Sequence, residues 1–168
     1  MILIEENFLN LESCDYLHNL SLNNSGKHVE PFRDIYCMYL NDESLKIANK
    51  LGYVYCNFLA SRGHLTFPEL IQITRWPIDS RHDMHFDTQR DSTVLTSITY
   101  LNDDYEGGET CFDNGVIVKP VKGKTIFFDG MKYKHCVNPV QKKERHVLAI
   151  WYSNNANNLY TEIMDNLN

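Results

Sequence analysis

The chain has 168 residues, which is enough for one domain with a substantial core and too few for two domains of ordinary size. With 43% hydrophobic and 23% charged residues the composition is globular, so a disordered or fibrous chain is excluded. The net charge of −6 disfavours nucleic acid as a partner, because non-specific binding to it requires a basic surface. No apolar run reaches the ~18 residues of a membrane span, and no basic region opens the N-terminus. We therefore expect a cytoplasmic protein without a membrane partner.

The five cysteines are scattered singly along the chain, and none belongs to a C-x-x-C pair. An odd number at irregular spacing is atypical of a disulfide framework or a structural zinc site. We expect reduced and mostly buried thiols at Cys14, Cys37, Cys56, Cys111 and Cys136.

The first third of the chain has helical periodicity. Apolar residues recur at roughly helical spacing over residues 9–20, and a clearer apolar stripe predicts a helix from about residue 43 to 61. Asn41 or Asp42 is a suitable N-cap for this helix, and Gly63 lies just past its end. Leucine-rich helical faces of this kind usually form core, so we interpret this part as scaffold.

From Pro68 onward the pattern changes to short β-branched and aromatic segments that are separated by turn residues. About eight strands without an intervening helix are typical of a β-sandwich or barrel, of which the jelly roll is an eight-stranded example. We predict one domain over 1–168, with a helical part at about 1–65 and a jelly-roll core at about 66–155. Gly107 and Gly108 are predicted to serve a turn. The predicted strands are 69–76, 84–87, 93–102, 109–112, 115–120, 124–129, 134–139 and 145–153.

The stretch D-M-H-F-D-T-Q at 83–89 contains a histidine and an aspartate two positions apart. If this stretch opens a strand, His85 and Asp87 point to the same face and Phe86 packs on the other. Two ligands are too few for a tight metal site, and His135 in a later predicted strand is the candidate for the third. Two imidazoles and one carboxylate on one face of a metal form the arrangement of non-haem Fe(II) oxygenases.

Arg145 opens the last predicted strand. By alternation it shares a face with Val147, Ala149 and Trp151, and both faces of the strand are largely apolar. The strand is therefore predicted to be buried, and a buried arginine requires an anionic partner. A guanidinium holds a carboxylate through two hydrogen bonds, so a diacid that chelates the metal at one end could meet Arg145 with the other.

Several motifs in a fixed order resemble the 2-oxoglutarate/Fe(II)-dependent dioxygenases, and within them the prolyl 4-hydroxylase-like branch. The resemblance covers roughly 69–153 and implies a double-stranded β-helix, which is a jelly roll flanked by helices. A lone H-x-D triplet is a weak signal, whereas this ordered set is a strong one. The motifs are H-F-D (85–87), Y-L-N-D-D-Y-E-G-G-E-T (100–110), K-P-V-K-G-K-T-I-F-F-D (119–129), K-H-C-V-N-P-V (134–140) and K-E-R-H-V-L-A-I-W-Y (143–152).

The resemblance implies roles for individual residues. His85, Asp87 and His135 fall on the iron ligands of the family, and Arg145 falls on the basic residue that binds the distal carboxylate of 2-oxoglutarate. Two further positions are implied to bind the cosubstrate or line its pocket. They are Tyr100, which matches a tyrosine that assists this carboxylate, and Trp151, which matches a pocket tryptophan.

The sequence departs from the family pattern at two places. Trp76 stands near the position where relatives tend to carry a tyrosine that touches the cosubstrate, so we expect it to pack there or to donate from its indole nitrogen. The loop at 88–92 is short, which leaves the alignment of Arg90 with a family arginine open. His82 lies three residues before His85, and its candidate positions are the surroundings of the metal ligands and the mouth of the substrate pocket.

The resemblance implies an enzyme that uses Fe(II), 2-oxoglutarate and O2, with ascorbate as a further candidate cofactor. It would hydroxylate a C–H bond and release succinate and CO2, and we favour a prolyl residue of a peptide or protein over a small molecule as substrate. Two alternatives stay open. One is a nucleic-acid dealkylase of the same superfamily, although Trp151 stands where those enzymes carry a second arginine. The other is a non-catalytic β-sandwich binding module.

Overall fold

The structure is a computed structural model, and it describes residues 1–24, 29–32, 35–40, 45–87 and 92–158. Within these ranges the chain forms two α-helices, α1 (Leu11–Asn23) and α2 (Leu45–Ser61), and a short 3-10 helix at Ala156–Asn158. The strands are β1 (Ile2–Glu5), β2 (Val29–Phe32), β3 (Ile35–Tyr39), β4 (Phe67–Trp76), β5 (His82–His85), β6 (Thr93–Tyr100), β7 (Glu106–Gly107), β8 (Thr110–Phe112), β9 (Ile117–Val118), β10 (Thr125–Phe128), β11 (His135–Val137), β12 (Val140–Gln141) and β13 (Arg145–Ser153).

Local sequence accounts for the start of α1 and the end of α2. The side chain of Asn10 caps α1 by accepting a hydrogen bond from the N–H of Ser13 at 2.8 Å. Helix α2 stops where Gly63 adopts a left-handed φ of 84° and the N–H groups of 63 and 64 bond the last helical carbonyls. The predicted N-cap residues Asn41 and Asp42 lie outside the described residues. In the part of the chain that is described, neither helix has the length and apolar character to cross a membrane.

The strands form antiparallel sheets. The largest has seven strands in the order β1-β10-β6-β13-β4-β3-β2, and a second has four in the order β5-β11-β8-β9. Strands β12 and β7 form a separate pair. Strand β13 lies at the centre of the large sheet between β6 and β4, and it is buried along its whole length, as predicted.

Two apolar clusters show how the layers pack. The first joins the helices to one face of the large sheet, and Leu17, Tyr55 and Ile150 belong to it. The second lies on the opposite face, where Val147 packs with Phe112 of the small sheet. Neighbouring residues of β13 therefore point into different layers, and the face that carries Arg145 and Val147 looks toward the small sheet.

The fold is mainly β with N-terminal helices, as predicted, and each of the eight predicted strands overlaps an observed one, although 84–87 does so only at 84–85. The interpretation of the first third as helical was incomplete, because β1, β2 and β3 also lie there. Two of these strands pair with distant partners: β1 with β10 and β3 with β4. Strands of four or five residues carry little periodicity of their own, and pairing across such sequence distances leaves no local signal.

Candidate active site

Three predicted metal ligands converge at the end of the four-stranded sheet. His85 is the last residue of β5, and it pairs across the sheet with His135, the first residue of β11. Asp87 follows two residues after β5, and its N–H donates to the carbonyl of Gly130 at 3.0 Å. Residues 83–85 thus close a strand, and the expected opening of a strand at this stretch was wrong. Strand pairing and this loop contact, more than alternation within one strand, bring the three side chains together.

The ligand atoms of His85, Asp87 and His135 all lie within 4.8 Å of one another. The Nε2 atoms of the two histidines are 3.5 Å and 3.7 Å from Oδ1 of Asp87. Nδ1 of His85 donates to the carbonyl of Asp83 at 2.8 Å, which fixes the ring with Nε2 directed toward the carboxylate. Two imidazoles and a carboxylate in this geometry can bind one divalent metal and leave positions open for other ligands.

The surroundings give these side chains the protonation states that metal binding requires. Burial lowers the pKa of His135 to about 4, although the charge of Asp87 opposes the shift. Burial on its own would raise the pKa of Asp87, but the hydrogen bond from His85 and the charge of His135 outweigh it, and the pKa is lowered. At neutral pH the site therefore holds a neutral imidazole and an ionised carboxylate, which are the forms that bind metals.

Gly130 shapes the metal site from the adjacent turn. A Cβ at this position would lie 2.6 Å from Cβ of Asp87 and 3.0 Å from Oγ1 of Thr96, so a larger residue would displace the carboxylate. The Thr96 hydroxyl also contributes to the lowered pKa of Asp87. The sequence marks D-G at 129–130 as a turn, but it carries no signal that the turn packs against Asp87.

Arg145 is completely buried, and its guanidinium has no salt bridge or hydrogen bond with any described residue. The guanidinium carbon lies 4.8 Å from the ring centre of Trp76 and 5.4 Å from that of Tyr100. These rings offset part of the cost of burying the charge, but they leave every N–H donor of the group without an acceptor. The prediction that Arg145 is buried and requires an anionic partner agrees with this environment.

One cavity of about 490 Å³ includes both the metal ligands and Arg145. This volume lies within the range of small-molecule binding sites. Arg145, Val147, Ala149 and Trp151 all line it, so the predicted alternation along β13 is confirmed. The ligand trio, the guanidinium and Trp76 therefore surround one space in which a metal and a dicarboxylate could bind together.

The remaining predicted site residues differ in their contacts with Arg145 and with the cavity. The Tyr100 hydroxyl is bonded to Oγ1 of Thr110 at 2.8 Å and to the carbonyl of Val118 at 3.3 Å, so it contacts Arg145 mainly through its ring. Trp151 lines the cavity, and its buried Nε1 has no acceptor among the described residues. His82 also lines the cavity, with its ring centre 3.7 Å from that of His85.

The indole nitrogen of Trp76 donates to Oγ1 of Thr74 at 3.0 Å, and the face of its ring lies against the Arg145 guanidinium. Arg90 lies outside the described residues.

The predicted glycine turn is present, with φ of 70° at Gly107 and 64° at Gly108. All five cysteines are free, but only Cys14 and Cys37 are fully buried, so the prediction of mostly buried thiols was too broad.

The chain is similar to known oxygenases. Residues 71–153 match the family model of the 2OG-Fe(II) oxygenase superfamily. Probable prolyl 4-hydroxylase 11 of Arabidopsis thaliana is 34% identical over 92 residues, which cover 49% of this chain and 33% of the plant protein. The chain thus spans about a third of the length of this curated relative.

Solved structures of low sequence identity share the fold. The viral collagen prolyl hydroxylase of Paramecium Bursaria Chlorella virus-1, in its 2OG complex, superimposes with a TM-score of 0.75 at 24% identity, over 90% of this chain and 94% of that one. A Trichoplax adhaerens prolyl hydroxylase in complex with a hypoxia inducible factor peptide fragment gives a TM-score of 0.73 at 20% identity, over 90% and 83% of the two chains. The family model and the plant relative confirm that the chain is similar to the 2OG-Fe(II) oxygenase superfamily and, within it, to the prolyl 4-hydroxylase-like branch.

Proposed function

We propose that this protein is an Fe(II)- and 2-oxoglutarate-dependent dioxygenase that hydroxylates a prolyl residue of a peptide or protein. The observation that carries the proposal is the shared cavity, in which His85, Asp87 and His135 face the same space as the unpartnered Arg145. When bound, iron and 2-oxoglutarate supply the oxidation of a C–H bond by O2, with release of succinate and CO2. The facing sheets would form the double-stranded β-helix that is implied by the family resemblance.

The donor set fits Fe(II). His85 and His135 would bind the metal through Nε2, and Asp87 would bind it through Oδ1, since these atoms face one another. The neutral state of His135 and the ionised state of Asp87 mean that no proton has to leave either side chain at neutral pH when the metal binds. The Asp83 carbonyl would hold the His85 ring in place during turnover.

The cavity also fits a keto acid with a second carboxylate. Arg145 would take the distal carboxylate through its two-pronged donor face, because it is buried and has no other anion among the described residues. The rings of Trp76 and Tyr100 would hold the guanidinium in position, which is how we interpret the expected assistance from Tyr100. Trp151 would form the pocket wall and offer its indole N–H to a ligand.

Two observations favour a peptide or protein as the substrate. The similar proteins described above are prolyl hydroxylases, and one of them holds a peptide fragment. Phe86 lies at the edge of the cavity with 40% of its surface exposed, so part of the apolar lining continues outward. A prolyl ring could enter the cavity while the rest of the peptide stays outside.

The test is an anaerobic titration of the protein with Fe(II) and 2-oxoglutarate, followed by admission of O2 with candidate substrates and ascorbate. We expect 2-oxoglutarate binding that depends on the metal, and substrate-stimulated succinate with proline-containing peptides. Asp87→Ala provides the matched inactive protein. Absence of 2-oxoglutarate binding would favour a non-catalytic module, whereas stimulation by methylated DNA alone would favour a nucleic-acid dealkylase.

A further inference from the structure

Tyr105 lies beside Arg145 and belongs to none of the family motif positions to which the resemblance gives a role. It is 8% exposed, and its hydroxyl is buried without a hydrogen-bond partner among the described residues. The hydroxyl is close enough to Arg145 that the positive charge opposes the rise in the Tyr105 pKa that burial causes. A buried hydroxyl without a partner is costly, and this one adjoins a guanidinium that also has none.

The backbone holds Tyr105 and Arg145 against each other. Gly108 stands three residues after Tyr105, just past strand β7, with a left-handed φ of 64°. A Cβ at Gly108 would lie 2.9 Å from the Tyr105 ring and 3.0 Å from Cδ of Arg145, so only glycine lets the chain pass this closely to both. The Tyr105 ring packs in one apolar cluster with Trp76 and Val137, which line the cavity themselves.

The two tyrosines beside Arg145 differ in what their hydroxyls can still bind. The Tyr100 hydroxyl already has Thr110 and the carbonyl of Val118 as partners. The Tyr105 hydroxyl adjoins the Arg145 guanidinium, which can only donate, and its own hydrogen has no acceptor among the described residues. A hydroxyl can accept one N–H from a guanidinium and still donate its own hydrogen to an anion. Tyr105 is therefore the tyrosine with a free donor next to the charge.

We propose that Tyr105 is a specificity-determining residue of the dicarboxylate site, where its hydroxyl donates a hydrogen bond to the carboxylate held by Arg145. This inference rests on the proposed function, since it deepens the assignment of the 2-oxoglutarate site. It makes the site selective for a keto acid with a distal carboxylate. A keto acid of the same length without that group would leave two buried donor groups unpaired, which is heavily penalised.

The experiment compares two ligands and two variants of the full chain loaded with Fe(II) under anaerobic conditions. The ligands are 2-oxoglutarate and 2-oxopentanoate, which has the same keto-acid head but no distal carboxylate. The variants are Tyr105→Phe and the matched control Tyr152→Phe. Tyr152 is also fully buried, but its hydroxyl is bonded to Ser97 at 2.7 Å, on the opposite face of β13 from Arg145. Calorimetry measures affinity, and thermal melting of the metal-free proteins measures stability.

The two variants should behave in opposite ways. Tyr105→Phe should bind 2-oxoglutarate roughly 10- to 100-fold more weakly, the usual loss for a hydrogen bond to a charged group, with 2-oxopentanoate binding unchanged and a Tm equal to the parent's or higher. Tyr152→Phe should lower the Tm and leave both affinities as in the parent. The inference is overturned if Tyr105→Phe binds 2-oxoglutarate like the parent, or if it loses affinity for both ligands equally. A parent protein that does not bind 2-oxoglutarate at all would overturn the proposed function and this inference together.

Discussion

His135 and Asp87 share one buried environment, yet it favours the neutral form of the first and the charged form of the second. Burial disfavours charge on both side chains, so the difference must come from their neighbours. The carboxylate has two imidazoles within 4 Å, whereas His135 has a second imidazole and the charge of Arg145 acting against its protonation. Both side chains are thus in the protonation state that metal ligands have.

The first prediction follows from the low pKa of His135, which is about 4 against an ordinary value of 6.5. Between these two values the unfolded chain binds a proton at His135 and the folded chain does not. Unfolding is therefore favoured as the pH falls through this window, by up to about 3 kcal/mol at its acid end. Urea unfolding of the metal-free protein, measured from about pH 7 to about pH 4 to span this window, should show the fall in the free energy of unfolding. His135→Gln should have a flatter pH dependence, and an equal slope in both proteins would contradict the assignment.

A second prediction concerns the three metal ligands. His85→Ala, Asp87→Ala and His135→Ala should each weaken Fe(II) binding by more than about 100-fold, since even partners of metal ligands contribute 10- to 100-fold. The metal-free proteins should stay folded, and His135→Ala should lower the Tm most, because the buried His135 ring lies 4.7 Å from that of Phe128. His64→Ala, at a half-buried histidine outside the cavity, is the control and should bind iron like the parent. A ligand variant with parental iron affinity would remove that residue from the site.

Turns as well as strands determine the shape of the metal site. Strands β5 and β11 place the two histidines opposite each other, but the position of Asp87 depends on the turn at Gly130, which bonds its N–H and packs against its Cβ. A rigid pair of strands and a close-packed turn hold the three ligand atoms together without the metal.

The third prediction tests this turn. Gly130→Ala places a methyl group 2.6 Å from Cβ of Asp87, so the carboxylate must move. We expect Fe(II) affinity to fall roughly 10- to 100-fold, as for other residues that orient metal ligands. Gly115→Ala is the matched control: its φ of 88° makes the substitution strained, but a Cβ there meets no atom within 4 Å. It should lower stability and leave iron binding unchanged. Equal iron affinities in the two variants would show that Gly130 does not position Asp87.

The elements that could be predicted from the sequence are those with strong local periodicity. Helix α2 and strands such as β6 and β13 have long apolar patterns, and their positions are confirmed. The N-terminal strand β1 has four residues and is completed only by its pairing with β10, 120 or more positions away by the register Ile2↔Phe128 to Glu5↔Thr125. Such strands depend on tertiary pairing, which periodicity does not record.

The same distinction applies to the site. Residues inside ordered motifs, such as His85 and Arg145, could be predicted, and the cavity contains both. Gly130, Thr96 and Tyr105 could not, because each matters through contact with a residue that is distant in sequence. The roles of Tyr100, Trp76 and Trp151 stay predictions, as does the division of the chain into one domain.

At the scale of the whole molecule, the two halves of the site belong to different sheets. The histidines come from the four-stranded sheet, whereas Arg145 comes from the central strand of the seven-stranded sheet. The helices cover the far side of the large sheet. The cavity therefore lies between the two sheets, on the side of the large sheet that faces away from the helices. A ligand that joins the metal to Arg145 would therefore connect the two sheets, and its binding should stabilise the whole fold.

The last prediction measures this connection. A ligand at 100 times its Kd stabilises the folded state by about 2.7 kcal/mol, which should raise the Tm of the metal-loaded protein by roughly 5–10 °C for a domain of this size. Arg145→Lys keeps the charge but loses the two-pronged geometry, so the Tm shift with 2-oxoglutarate should be smaller. Arg145→Leu should lose most of this Tm shift, because the distal carboxylate would be buried without a partner.

Without 2-oxoglutarate, the order of the melting temperatures of parent and variants should be reversed. Arg145 is a completely buried charge without an anion among the described residues, so replacing it with an apolar residue, even a shorter one, removes a desolvation cost. Arg145→Leu should therefore melt at the same temperature as the parent or higher when no 2-oxoglutarate is present. Iron affinity, measured separately by calorimetry, should be unchanged, since Arg145 is not a ligand. A variant that melts lower when free and still gains the full shift with 2-oxoglutarate would exclude Arg145 as the carboxylate-binding residue.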